Sequence, residues 1–187
     1  MGVGAALEMA KFSPAKFTCF LECKACQRHV SATGTAAIPN QPKRHERPKI
    51  KIEYFSPTVD LFPLQRWTPA SISVELRRAF SYFHSDLTAS GAKIRRAVEQ
   101  FCIELGYSEG NLHKRIQKMA DQYPQEAQWL QSLRWFGNEA THADNINEAD
   151  LLHSFEILEE LLDVFRRVSR LEAVQAASLK LEQKFKK

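Results

Sequence analysis

Glycine and cysteine are scarce in this chain, and long apolar runs are missing. Of 187 residues only 7 are glycine and 4 are cysteine. No stretch approaches the roughly 18 consecutive apolar residues of a membrane-spanning helix, so no membrane partner is expected. Residues 1 to 10 are small and apolar, but they include Glu8 and lack a basic start, so they do not read as a secretory signal. These absences set the expected location as cytoplasmic. The cysteines stand at 19, 23, 26 and 102, three of them within eight residues. A disulfide scaffold spreads its cysteines over a short secreted chain, which is not the pattern here. Cys102 lies in an apolar helical pattern and reads as a buried core thiol. A glycine-rich phosphate loop is missing too.

What is present suits a globular protein. The hydrophobic fraction is 44% and the charged fraction 26%, enough for one full core and a small appendage. The net charge of +4 is unevenly divided. Residues 1 to 67 hold ten Lys or Arg against five acids, residues 68 to 165 nine against fifteen, and residues 166 to 187 seven against two. A nucleic-acid-binding domain usually concentrates positive charge on its folded part. Here the basic ends serve either phosphate contact or solubility.

The pattern predicts a mostly α protein: a helical bundle with a small N-terminal β, zinc-knuckle-like appendage. Residues 1–48 form the knuckle and a basic loop. Residues 49–67 form a strand and a proline-rich connector, with Ile50, Ile52 and Tyr54 alternating against Lys49, Lys51 and Glu53. Residues 68–168 form the helical domain. Residues 169–187 are a basic tail, either helical or frayed. Thr68 with Pro69 marks the first helix start. The apolar stripe of that helix is Ile72, Leu76, Phe80, Phe83 and Leu87. The second helix carries Ile94, Val98, Phe101, Cys102 and Leu105, and Gly106 suits a left-handed cap. A short third helix holds Leu112, Ile116 and Met119. The fourth runs from near Gln125 through Gly137 towards His142. The fifth opens at Asn147, which with Asp150 resembles a capping box.

Arg134, Asn138 and His142 are spaced four and four, so one helix face carries all three. Such a row is either a catalytic constellation or a polar network locking helix to helix. Gly137 inside the same helix costs about 1 kcal/mol against alanine, which points to a close neighbour of its backbone. Arg95, Arg96 and Glu99 form a second polar cluster: Arg96 and Glu99 are placed to pair across one turn, and one of the two arginines equally suits a crossing to Glu139 or Asp144. Near the N-terminus, Cys23 and Cys26 form a C-x-x-C pair. A structural zinc takes four ligands, so Cys19, His29 and His45 are the candidates to complete the set. The alternative is a degenerate knuckle with free thiols.

The stretch Leu133-Arg134-Trp135-Phe136-Gly137-Asn138-Glu139-Ala140-Thr141-His142, with Arg96-Ala97-Val98-Glu99 and Asn111-Leu112 before it, closely resembles a bacterial family of unknown function. That family is found alone and fused to restriction-enzyme subunits, and is grouped with the HEPN helical domains. The resemblance covers about residues 50 to 168. It implies a HEPN-like helical bundle, a homodimer, and relatives with a ribbon-like N-terminal knuckle. Many HEPN members resemble metal-independent ribonucleases with an Arg and a His from each subunit. In those members the Arg directly precedes a polar residue, a place held here by Gly137, with Arg134 one turn earlier. The expected function is therefore a non-catalytic interaction or regulatory module, linked to nucleic-acid processing or phage defence and contacting a protein or RNA partner. The alternative is a dimeric ribonuclease using His142 as base and Arg134 on phosphate, with Asn138 between them. A nucleotide pocket at Arg134 and Trp135 rests on those two side chains alone.

Overall fold

The computed structural model describes residues 11–24, 27–41, 47–140 and 146–186. The chain divides into two compact units, one ending at Val59 and the other beginning at Asp60.

The first unit is an antiparallel sheet of three strands in the order β1-β2-β3: β1 is Phe12–Glu22, β2 is His29–Pro39 and β3 is Lys49–Ser56. Residues opposite one another share a face, so the register sorts the side chains. Ala15, Ala36 and Ile50 form one row, and Cys19, Ala32 and Phe55 another, on an apolar face. Lys16, Thr35 and Lys51 stand on the other face. Tyr54 does not follow Ile50 and Ile52, as simple alternation predicts. The register shifts between Thr33 and Gly34, so one step on β2 meets two on β3, and Tyr54 lies opposite Thr33 on the polar face.

The stretch 49–67, expected as a strand and a proline-rich connector, opens with the strand. Lys49–Ser56 completes the sheet. Leu61, Phe62, Leu64 and Trp67 pack on the helical core. Phe62 stacks edge-on to Phe80 with ring centroids 5.1 Å apart, and Phe80 meets Phe155 at 5.2 Å.

The second unit has five helices among the described residues: α1 Ala70–Tyr82, α2 Leu87–Glu104, α3 Leu112–Met119, α4 Pro124–Glu139 and α5 Glu148–Phe185. Their starts follow local chemistry. Asp86 caps α2 by accepting from the Ala89 N–H, and Asn111 caps α3 by accepting from the Lys114 N–H. Pro124 opens α4 in its first turn. Asn147 and Asp150 exchange backbone and side-chain bonds in a full capping box. Gly106 follows α2 with φ +92°, the left-handed conformation expected of it. Thr68 was expected to cap α1, but Pro69 takes that place without a side-chain bond, and the buried Thr68 hydroxyl has no hydrogen-bond partner.

The core lies where the apolar stripes predict it: Ile72, Leu76, Ile94, Val98, Phe101, Leu130, Leu133, Leu151 and Leu158 are all buried. The last buried residue of α5 is Phe165, yet the helix continues to Phe185. The tail is thus helical, and Leu171, Val174, Leu181 and Phe185 stand exposed along it. None of the helices is long and apolar enough to cross a membrane among the described residues.

Candidate functional site

The polar row of α4 faces α2. Arg134 and Asn138 are half-buried on the last two turns of α4, which ends at Glu139. His142 lies outside the described residues, as does Asp144. The side chain that meets the row is Arg95 of α2. Its Nη1 donates to Asn138 Oδ1. Its Nε stands 3.6 Å from Glu99 Oε1, and Glu99 Oε2 also receives Arg96 Nη1 at 2.5 Å. Glu99 therefore steadies two guanidinium groups, and Arg95 carries the connection across to α4. The cross-helix arginine is thus Arg95, and its partner is Asn138, next to the expected Glu139.

Gly137 has its reason in the same contact. A Cβ built there would sit 2.8 Å from Arg95 Cβ, so the close neighbour is the stem of Arg95 in the same chain. One turn along, a Cβ on Gly91 would strike the Ala140 side chain. Two glycines, one on each helix, bring α2 and α4 together at opposite ends of this contact. The close approach is what lets the Arg95 head reach Asn138.

Arg134 is held locally. With the Gln131 amide turned so that its oxygen faces these donors, that oxygen accepts from Arg134 Nε at 2.8 Å and Nη2 at 2.6 Å, and from Trp135 Nε1 at 3.1 Å. Arg134 and Asn138 thus share a face as the spacing predicts, with Gln131 bonded to the first and Arg95 to the second.

Among the described residues, two clefts of the helical unit are lined by side chains of this region. One, of about 380 Å³, runs between α4 and α5 past Phe136, Glu139, Asp150, His153 and Ile157. Asp150 is engaged there by the capping box. The other, of about 360 Å³, lies between α2 and the start of α3 and contains Arg95, Arg96 and Arg115.

At the knuckle, Cys23 stands at the tight turn joining β1 and β2, as expected. Its N–H donates to the Arg28 carbonyl at 2.9 Å, and its carbonyl accepts from the Gln27 N–H at 2.8 Å. Gln27 takes φ +56° to close the turn. Cys26 and His45 lie outside the described residues. Cys19 is not brought to the turn: it pairs with Ala32 inside the strand, and about 10 Å of extended chain separates it from Glu22. His29 sits opposite Glu22, its Nε2 4.0 Å from Glu22 Oε2. Among the described residues no group of three or more His, Cys, Asp or Glu is placed to hold a metal ion. Tetrahedral zinc needs sulfurs within about 2.3 Å of one point, so Cys19 and Cys23 do not share a site in this geometry.

Cys102 is a core thiol, as its pattern predicts. Burial raises its pKa to about 12, opposed by Arg115 and aided by Glu99. That is the inert form of cysteine, protonated at neutral pH.

Arg95, the group that meets the α4 row, belongs to the polar cluster read from the sequence, but its partner is Asn138 rather than Glu139 or Asp144. Gln131 and Arg115 emerge only in three dimensions.

Comparison with known proteins gives one match. A family model described as a domain of unknown function, DUF4145, matches residues 77–187, which takes in α2 to α5 and the C-terminal end of α1. No curated protein and no solved structure matches the chain.

Proposed function

Because the chain belongs to the DUF4145 family, whose description assigns no activity, we propose from the geometry that it is a non-catalytic helical interaction module. Its setting is nucleic-acid processing or phage defence, as the resemblance to HEPN-like domains implies, with a cytoplasmic location and a homodimeric state. The observation that carries the non-catalytic reading is the placement of Asn138. The middle member of the polar row is engaged by Arg95 at a glycine-mediated helix crossing. A group committed to holding two helices together is a poor candidate for proton transfer or for binding a changing phosphate. The working surface of such a module is α5 beyond Phe165. Most helical stability in proteins comes from packing of an apolar face, so the exposed Leu171, Val174, Leu181 and Phe185 gain stability by packing on a partner.

The competing reading is a metal-independent ribonuclease acting as a dimer through His142 and Arg134. One observation favours it: Arg95 puts a guanidinium at Asn138, where position 137 lacks one. Both readings meet in one experiment. Purified full-length protein is incubated with a labelled single-stranded RNA, in parallel with His142→Ala, while its mass is followed by light scattering before and after removal of residues 171–187. The interaction module leaves the RNA intact, and truncation of the tail turns a dimer into a monomer. RNA cleavage that disappears in His142→Ala with unchanged melting temperature overturns the proposal.

A further inference from the structure

Residues 68 to 165 of the helical unit are acidic, with nine Lys or Arg against fifteen Asp or Glu. Against that background, three of the nine basic side chains, Arg95, Arg96 and Arg115, line the 360 Å³ cleft between α2 and α3. Among the described residues that line it, the only acid is Glu99. The charge of these lining residues, a net of two positive, is therefore opposite in sign to that of residues 68 to 165 taken together.

The arginines are also oriented. Glu99 holds Arg95 and Arg96 side by side on successive positions of α2. Across the cleft, Arg115 Nε donates to the Gly110 carbonyl at 3.0 Å, which pins its guanidinium at the mouth of α3. Each guanidinium has five N–H donors, and these contacts use only a few of them. Gln100 and Asn111 add polar side chains to the rim. Asn111 uses its oxygen to cap α3, which leaves its amide nitrogen as a donor. Donors outnumber acceptors around the cleft, so its ligand supplies acceptors and negative charge.

We propose that this cleft binds a small phosphorylated molecule, a phosphate monoester whose dianion sits between Arg96 and Arg115. Guanidinium forks fit phosphate oxygens bidentately, and two net charges match a dianion. The volume lies within the range of small-ligand pockets. Among the described residues no aromatic side chain lines the cleft, so they offer no stacking platform for a base. Residues 68 to 165 carry fifteen acids against nine bases, which disfavours an RNA strand running from the cleft over that segment. The inference is independent of the interaction-module reading, since the cleft uses neither His142 nor the tail of α5.

The test is calorimetric titration of the full-length protein at about 20 mM salt, where charge screening is weak. The probes are ribose 5-phosphate, ribose and an oligouridylate. Ribose 5-phosphate is expected to bind with a dissociation constant below about 1 mM, and ribose to show no heat. Arg96→Gln and Arg115→Gln each weaken binding by about tenfold, the loss of one charge-assisted hydrogen bond. Both side chains lie at the cleft rather than in the core, and circular dichroism checks that the variants keep their helix. Arg115→Lys, which keeps the charge and loses the fork, recovers part of the affinity. The proposal is overturned by absence of ribose 5-phosphate binding, by equal binding in the Arg96→Gln/Arg115→Gln double variant, or by an oligouridylate that binds more tightly than the ester. RNA cleavage, which tests the interaction-module reading, leaves each of these outcomes unchanged.

Discussion

Arg95 and Gly137 form a close contact between α2 and α4: a Cβ at Gly137 would lie 2.8 Å from Arg95 Cβ. The obstructing atom is the stem of the arginine, fixed to its own helix, so it cannot swing away as a flexible side-chain end would.

That contact fixes the outcome of Gly137→Ala. In a solvent-facing helix the change would stabilise by about 1 kcal/mol. Here the helices must move apart, and overpacking of this kind costs about 1–3 kcal/mol. Denaturant unfolding should show a lower midpoint with an unchanged slope. A higher midpoint would mean that the helices are not in this contact.

Asn138→Ala removes the acceptor for Arg95 and leaves a partly buried guanidinium short of one bond. The expected loss is about 1–2 kcal/mol. In a double-mutant cycle with Arg95→Met the two effects should be strongly non-additive, because one interaction is removed twice. Additive effects would separate the two residues.

Glu126 is a buried carboxylate of α4 paired with Arg167 of α5. Arg167→Ala strands that charge, whereas Glu126→Gln with Arg167 retained leaves a neutral group at the same place. Arg167→Ala is expected to be the more destabilising change, by about 1–3 kcal/mol in thermal unfolding. The reverse order would place the carboxylate in solvent.

Cys102 supplies an alkaline signature. Its pKa rises from an ordinary 9.0 to about 12 on folding. The folded state therefore keeps a proton that the unfolded state releases, and stability present below pH 9.0 is lost as pH climbs towards 12. Cys102→Ala should flatten that decline between pH 9 and 11 while lowering stability at neutral pH through a small cavity. In native protein at pH 8, a thiol reagent should modify the exposed Cys23 and spare Cys102 until denaturant is added.

Any zinc the protein takes up should be indifferent to Cys19, which sits mid-strand opposite Ala32. Elemental analysis of wild type and Cys19→Ser should give the same metal content, while Cys23→Ser lowers whatever is present. A selective loss in Cys19→Ser would require a different strand register.

Much of this molecule is written in short-range chemistry. Periods of three and four residues place the stripes of α1 to α5, and Asn147 with Asp150 marks the start of α5, because helix period and capping depend on residues within one or two turns. The alternation of β3 is legible up to Ile52. The bulge beyond it depends on the partner strand, so Tyr54 was assigned to the wrong face. Helix continuation past Phe165 was only partly legible, since apolar residues thin out there and helix propensity alone is a weak guide.

The sequence by itself determined the run of five helices, the caps at Gly106 and Asn147, the buried identity of Cys102 and the shared face of Arg134 and Asn138, all of which follow from spacing along one chain segment; it did not place Leu87, read into the first helix, at the start of the second. Only the tertiary structure decided what those faces meet. Arg95 and Asn138 are 43 positions apart, and nothing local relates them. Their contact arises because Gly91 and Gly137 let two helices approach, and close approach is a property of a packed pair. For the same reason Glu99 and Arg115, on different helices, became walls of one cleft only when α2 and α3 were folded together.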